Sequence, residues 1–277
     1  MFLLDKFKNK YFVYGTLIAE SPLHIGAGND DFKPTAVDAA VIRDENNNPY
    51  IPGTSLKGIL RSTLERIISS GVFENLTACN ILVQKNNSED NTDNYISHIC
   101  VDDKKIKEIK ESFKNDKDKE KKIAERIYEE QCDICKLFGG HGFASKIQIS
   151  DARVIIPEGG KIYTQIRDGV AIDRDTLTHR DKVKYNFEQV AVGTEFKFEM
   201  AVDNLEEEHK ILLALIISLL EKGDLKIGGK TSAGLGNIKL VNTEIGKIDN
   251  KETLKEYYLE NKTVEVKKEE LLKCLKN

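Results

Sequence analysis

Two stretches of this 277-residue chain place glycines and cations as a phosphate-binding surface would. The first is Gly228-Gly229-Lys230-Thr231-Ser232-Ala233-Gly234-Leu235-Gly236. Glycines let a backbone approach phosphates closely, and Lys230 supplies charge. The run invites comparison with a nucleotide-binding P-loop and fails it. The first glycine of that motif would fall at Asp224, and the expected order here is helix to strand, the reverse of a P-loop. What survives is a loop able to bind RNA or another phosphate ligand, with a mobile turn as the alternative. The second stretch is Ile51-Pro52-Gly53-Thr54-Ser55-Leu56-Lys57-Gly58-Ile59-Leu60-Arg61. It reads as a helix start capped by Thr54 or Ser55, with Lys57 and Arg61 four apart on one face. Free N–H groups and two aligned cations suit a row of phosphates, although a basic helix face is also common in proteins that bind none. Gly26 and Gly28, in the loop Ser21–Asp30, form a third glycine-bearing element.

Asp38 and the cysteines offer other chemistry. Asp38 interrupts an otherwise apolar run of Ala36, Val37, Ala39, Ala40, Val41 and Ile42, where a carboxylate opposes burial. A structural or solvated aspartate is the alternative to a functional one. His24 has the chemistry of an acid, but a loop histidine bonded to backbone is the simpler reading. Cys132-Asp133-Ile134-Cys135 is a CxxC pair, with Cys79 and Cys100 upstream. Two close thiolates and two distant ones suffice for tetrahedral Zn²⁺, and His98 is a substitute for Cys100. Residues 70–131 show no apolar core of their own, so a metal staple has a physical motive. Isolated loop thiols are the alternative. The odd count of five cysteines argues against a disulfide framework, and Cys274 is expected to be free.

The elements that must position these groups follow from pattern. Lys10–Glu20 and Ala36–Arg43 read as strands, the second ending at the turn-rich Asp44–Pro49. Leu56–Ser69 has helical spacing at Leu56, Ile59, Leu60, Leu64 and Ile67. Residues 70 to about 100 are polar and without period. Residues 102–130 read as a solvated helix or helix pair with a thin apolar stripe. Lys146–Ile156 is a strand, and 163–195 a protruding hairpin. Leu205–Lys222 is a buried helix closed by Gly223. Asn237–Val241 is a short strand, and 247–277 a charged tail with a peripheral helix and a loose end. This order implies an α+β fold. A ferredoxin-like (RRM-like) core sheet fits, formed by about 10–69 and 144–241, with residues 70–135 inserted and the hairpin protruding as a thumb.

Composition bounds the function. Net charge is −4, so the chain is not coated in phosphate-binding cations, although a groove needs only a local excess. Between Val101 and Glu130 ten basic and ten acidic residues cancel. The most apolar run, Ile211–Leu220, is ten residues, too short for a membrane span. Met1–Lys10 is too charged for the apolar part of a signal peptide, so a cytoplasmic location is expected.

Taken in order, several short motifs resemble the RAMP superfamily of CRISPR-associated proteins. They are Leu23-His24-Ile25-Gly26-Ala27-Gly28, Val37-Asp38, Ile51–Gly58, Leu137-Phe138-Gly139, Ile172-Asp173-Arg174 and Gly228–Gly236. The likeness is closest to the repeated backbone subunit of type III effector complexes. It implies a guide CRISPR RNA held by Gly26, Gly28, Ser55, Lys57, Gly58, Arg61, Gly228, Gly229, Lys230, Thr231, Gly234 and Gly236. It implies that the thumb, around Asp173–Tyr185, wedges between guide and complementary target RNA and flips one base per subunit. Leu177, Val183, Tyr185 and Phe187 are the candidates for the wedge. It also implies that Asp38 cleaves target RNA beside each flipped nucleotide, as a base or as a ligand of Mg²⁺ or another divalent cation. Structural Zn²⁺ at Cys79, Cys100, Cys132 and Cys135 occurs in some members only. Partners would be copies of the chain or related RAMP and other effector subunits. A non-catalytic structural RAMP subunit and, less well, a guide-processing endonuclease are the rival readings.

Overall fold

A computed structural model describes residues 3–26, 39–79, 100–162, 164–172, 174–175 and 178–276. Asp38, Gly28, His98, Asp173 and Leu177 lie outside the described residues. The fold is α+β. Its main sheet is antiparallel, and the long strands are β1 (Lys10–Ala19), β7 (Glu195–Asp203) and β9 (Asn237–Ile248). β3 (Ile147–Ile149) pairs with β7, while β8 (Leu225–Lys226) and β10 (Val264–Glu265) pair with β9. The resulting order is β10-β9-β1-β7-β3, with β8 also on β9.

Alternation drives this sheet. In β7 the residues Phe196, Phe198, Met200 and Val202 are buried, while Glu195 and Lys197 between them face solvent. Such a period-two pattern covers one face of a sheet and leaves the other polar. Helices α1 (Gly53–Ser69) and α5 (Lys210–Lys222) supply the cover. In α1 the buried stripe is Leu56, Leu60, Leu64 and Ile68, each four residues after the last. Full burial of one such leucine is worth about 1.5–3 kcal/mol. α5 is buried nearly all round, and Gly223 ends it in the left-handed conformation at φ 72°.

Several elements differ from expectation. Among the described part of the expected strand 36–43 there are only isolated bridges, Ala39 to Phe187, Gly26 to Val41 and Arg43 to Pro49. The expected strand 146–156 is two pieces, β3 and β4 (Ala152–Arg153), and β4 leaves the sheet to pair with β2 (Tyr50–Ile51). β9 runs on past Val241 because Ile245 and Ile248 continue the buried set. Its continuation organises the charged tail. α6 (Lys251–Glu260) starts on a capping box of Asn250 and Thr253, and α7 (Lys268–Leu272) packs on α5 with Leu271 buried. That segment is therefore docked, not loose.

The insertion forms a pair of packed helices, α2 (Asp103–Ser112) and α3 (Lys119–Glu129), followed by the short α4 (Asp133–Phe138). The thumb is a separate two-stranded ribbon, β5 (Thr164–Ile172) with β6 (His179–Val190). Among the described residues no helix is long and apolar enough to cross a membrane.

Candidate nucleic-acid interface and metal centre

The glycine loop sits between two paired strands, not between helix and strand, because Leu225 and Lys226 pair with Ile238 and Asn237. It is pinned to the first glycine-bearing loop by backbone hydrogen bonds. The Gly229 N–H donates to the His24 carbonyl at 2.8 Å, and the Gly236 N–H to that of Pro22 at 3.0 Å. Gly228 has φ 84°, and a Cβ there would lie 2.3 Å from the His24 carbonyl oxygen. No other residue fits that turn. Gly26 therefore lies beside the loop that contains Gly228 and Gly229, as two separate glycine motifs brought together. His24 is buried, and its Nδ1 donates to the Glu188 carbonyl at 2.7 Å. It is a loop histidine held by backbone.

Lys230 adopts the left-handed conformation at φ 58°, and its Nζ sits 4.6 Å and 4.5 Å from the ring centroids of Tyr185 and Phe187. The loop cation thus leans on the root of the thumb. Phe187 is buried against His24, whereas Tyr185 is 45% exposed. The Tyr185 ring lies over Gly169, where a Cβ would be 2.2 Å from it. Gly169 thus backs the ring, which stays partly exposed with Lys230 over it. Thr231 begins a short 3₁₀ turn that Gly234 closes at φ 88°.

At the other wall, α1 packs against β8, the strand that leads into the loop. Pro52, not Thr54 or Ser55, occupies the N-cap, and no side chain caps the helix. Proline is compatible with a helix start because its missing N–H would be unpaired there. The Gly53 N–H is already taken by Asp151 Oδ1 at 2.8 Å, since β3–β4 packs so closely that a Cβ on Gly53 would meet the Ile149 carbonyl at 2.2 Å. The helix start is less open than expected. Ser55 and Lys57 are half-buried and Gly58 is exposed, with nothing within 4 Å of a Cβ built there. Burial, then repulsion from Arg61, lowers the Lys57 pKa. Arg61 turns inward. Nε donates to Glu65 at 2.8 Å, Nη1 to the Gly139 carbonyl at 2.7 Å and Nη2 to Cys135 Sγ at 3.2 Å.

Cys79, Cys100, Cys132 and Cys135 converge, with all four sulfurs within 4.8 Å of one another. Cys79 lies 3.6 Å from Cys100 and 3.4 Å from Cys135. These spacings are too long for disulfides. They are close to the sulfur separation of about 3.8 Å that Zn–S bonds of about 2.3 Å give in a tetrahedron. The Cys135 N–H points at Cys132 Sγ at 3.5 Å, since Cys132 caps α4. Contacts with Cys132, Cys135 and Cys79 lower the Cys100 pKa, while Cys135 is pushed up, first by Cys100.

A buried polar network next to the cluster had no sequence signal. Asp133, between the two cysteines of the CxxC pair, accepts from the Thr77 N–H and hydroxyl, each at 2.7 Å, and lies 3.0 Å from His209 Nε2. Burial raises its pKa, but the bonds from His209 and Thr77 outweigh this and hold the carboxyl low. Tyr128 donates to Glu206 at 2.8 Å and accepts from the buried Lys146 at 2.6 Å. Burial is the largest influence on Lys146 and brings its pKa to about 8. Polar partners 18 to 78 positions apart in sequence reveal no such network by spacing. A second missed residue is Glu188. Its N–H donates to the Ala39 carbonyl at 2.9 Å, its Oε2 accepts from the Val41 N–H at 3.1 Å, and its Oε1 pairs with Arg43. It ties the thumb strand to the segment that follows Asp38.

Residues 16–239 match the model of the RAMP superfamily. The chain belongs to the RAMP superfamily. This RAMP chain is 31% identical over 244 residues to the CRISPR system Cms endoribonuclease Csm3 of Methanocaldococcus jannaschii, covering 84% of this chain and 79% of that protein. It is 27% identical over 228 residues to the protein of the same name from Streptococcus thermophilus, covering 79% and 81%. A shorter match, 39% identical over 61 residues, links it to the Csm3 of Methanothermobacter thermautotrophicus, over 22% of this chain and 25% of that one.

Proposed function

We propose that this chain is the guide-RNA-binding backbone subunit of a type III CRISPR effector complex, an endoribonuclease that cuts complementary target RNA. The observation that carries the reading is the 31% identity, over most of both chains, to a protein named a CRISPR system endoribonuclease. The pinning of the Gly228–Gly236 loop to the loop that bears Gly26, next to the strand β8 on which α1 packs, supports it. The strand order β9-β1-β7-β3, with α1 and α5 as crossovers, supports a ferredoxin-like core.

In this reading Gly26, Gly28 and the Gly228–Gly236 loop let the guide backbone approach, and Ser55, Lys57 and Gly58 form the facing wall. Phosphate contacts of this kind position an RNA without reading its sequence. Tyr185, partly exposed at the thumb root, lies beside the groove with Lys230 over its ring. Target cleavage follows in-line attack of the target's own 2′-OH on the adjacent phosphate. The new bond is from the 2′ oxygen to phosphorus, the bond to the 5′ oxygen breaks, and Asp38 takes the 2′ proton or helps hold a divalent cation such as Mg²⁺. When bound, such a cation neutralises charge on the phosphate. The cysteine cluster fits structural Zn²⁺ by donor type and spacing. The partners are guide and target RNA, further copies or related RAMP subunits and other effector subunits, in the cytoplasm.

The test is a reconstituted complex carrying Asp38→Ala and a labelled complementary RNA. Cutting is expected to fall by orders of magnitude with target binding unchanged. Cutting at full speed with the usual spacing would remove Asp38 from the mechanism.

A further inference from the structure

Arg61 joins two parts of the molecule that the sequence keeps apart. Its side chain is 15% exposed, and all three guanidinium nitrogens are engaged. Two of the three acceptors belong to the α4 region. Cys135 lies within α4, and Gly139 closes it at φ 87°. One planar fork from α1 therefore grips a sulfur of the four-cysteine cluster and the end of the helix that presents two of those cysteines. The third acceptor, Glu65, is one turn along α1 and holds the fork in plane. Lysine could not span these sites, because its ammonium is a point donor.

Four thiolates around a dication leave surplus negative charge, and N–H···S bonds from a cation stabilise it. We infer that Arg61 is the outer-sphere partner of the metal centre, orienting Cys135 and locking the guide-side helix α1 to the cysteine cluster. The inference rests on the zinc reading of that cluster. It removes Arg61 from the phosphate-binding set and makes it a positioning residue. Its consequence is that the helix proposed to grip the guide and the metal centre are one mechanical unit.

The test uses the full chain purified without chelator, as wild type, Arg61→Met and Arg61→Lys. Three quantities are measured: zinc per chain, the rate of zinc transfer to a chromophoric chelator, and the spectrum of the cobalt-substituted protein. The wild type is expected to hold one zinc. Arg61→Met should release it about 10-fold to 100-fold faster, the usual cost of losing an outer-shell partner. Arg61→Lys should fall between, because it keeps the charge and one donor, and it carries the comparison if Arg61→Met does not fold. The sulfur-to-cobalt charge-transfer band should shift in Arg61→Met, which a packing defect alone would not cause. The salt slope of single-stranded RNA binding should stay as in wild type. Release at the wild-type rate from a zinc-loaded variant overturns the role of Arg61 and leaves the zinc reading standing. A wild type without zinc overturns both. A salt slope reduced by about one assigns Arg61 to a phosphate and overturns the inference.

Discussion

Gly58→Ala should make the isolated chain more stable and the RNA complex weaker. Gly58 is the sixth residue of the 17-residue α1, well inside the helix. A glycine there costs about 1 kcal/mol relative to alanine, mostly as backbone entropy retained by the unfolded chain. Nothing lies within 4 Å of a Cβ built at this position, so the methyl meets no protein atom. The full gain of about 1 kcal/mol should appear, a rise in Tm of about 2–4 °C for a chain of this size. The bare glycine makes sense if a ligand backbone lies against it. A methyl in that space should cost about 1 kcal/mol of binding, close to a fivefold rise in Kd. Urea titration of the isolated chain and a titration with single-stranded RNA at fixed salt measure the two halves. A destabilised variant would refute the steric reasoning. A stabilised variant that binds RNA as tightly as wild type would place the guide elsewhere than this face of α1.

Two further predictions address the insertion and the buried network. Cys132→Ser removes one thiolate ligand of the cluster while its hydroxyl can still cap α4. It should purify with less than one zinc per chain and unfold at lower temperature, as metal analysis and a thermal scan would show. A variant with full metal content would remove Cys132 from the ligand set. Lys146 has its pKa lowered to about 8 by burial, below its value in the unfolded chain. Between about pH 8 and pH 10 the unfolded state therefore binds more protons, and stability should rise with pH by on the order of 2 kcal/mol. Lys146→Met should abolish that rise, and identical pH profiles for the two proteins would show that Lys146 is not the group responsible.

Much of the core was legible because short-range pattern encodes it. The four-residue stripe in α1 and the glycine that ends α5 depend on neighbours within a turn, whereas the alternating strand Glu195–Asp203 was not among the strands expected. The cysteines were legible as a set because four thiols in a chain without disulfides have few other uses. The Thr54 or Ser55 cap was misplaced because Pro52 is an equally good helix opener, and tertiary packing of Asp151 supplied the missing acceptor. The tail read as loose because its buried positions, such as Leu271, are single residues among lysines and glutamates. The sheet edge and α5 decide their burial, and neither is visible from the tail.

Residue type and local spacing alone set the chemistry available: glycine-rich loops, a carboxylate in an apolar run, four thiols and a motif order shared with one superfamily. Which of these groups meet is a matter of packing between distant segments. That packing set Lys230 over the thumb aromatics and drew Cys79 and Cys100 to the CxxC pair. It also turned Arg61 from solvent to Cys135. A guanidinium on a helix can face either way, and local pattern is the same in both cases. What settles it is the position of α4, fixed by burying Ile134, Leu137 and Phe138 in the common core.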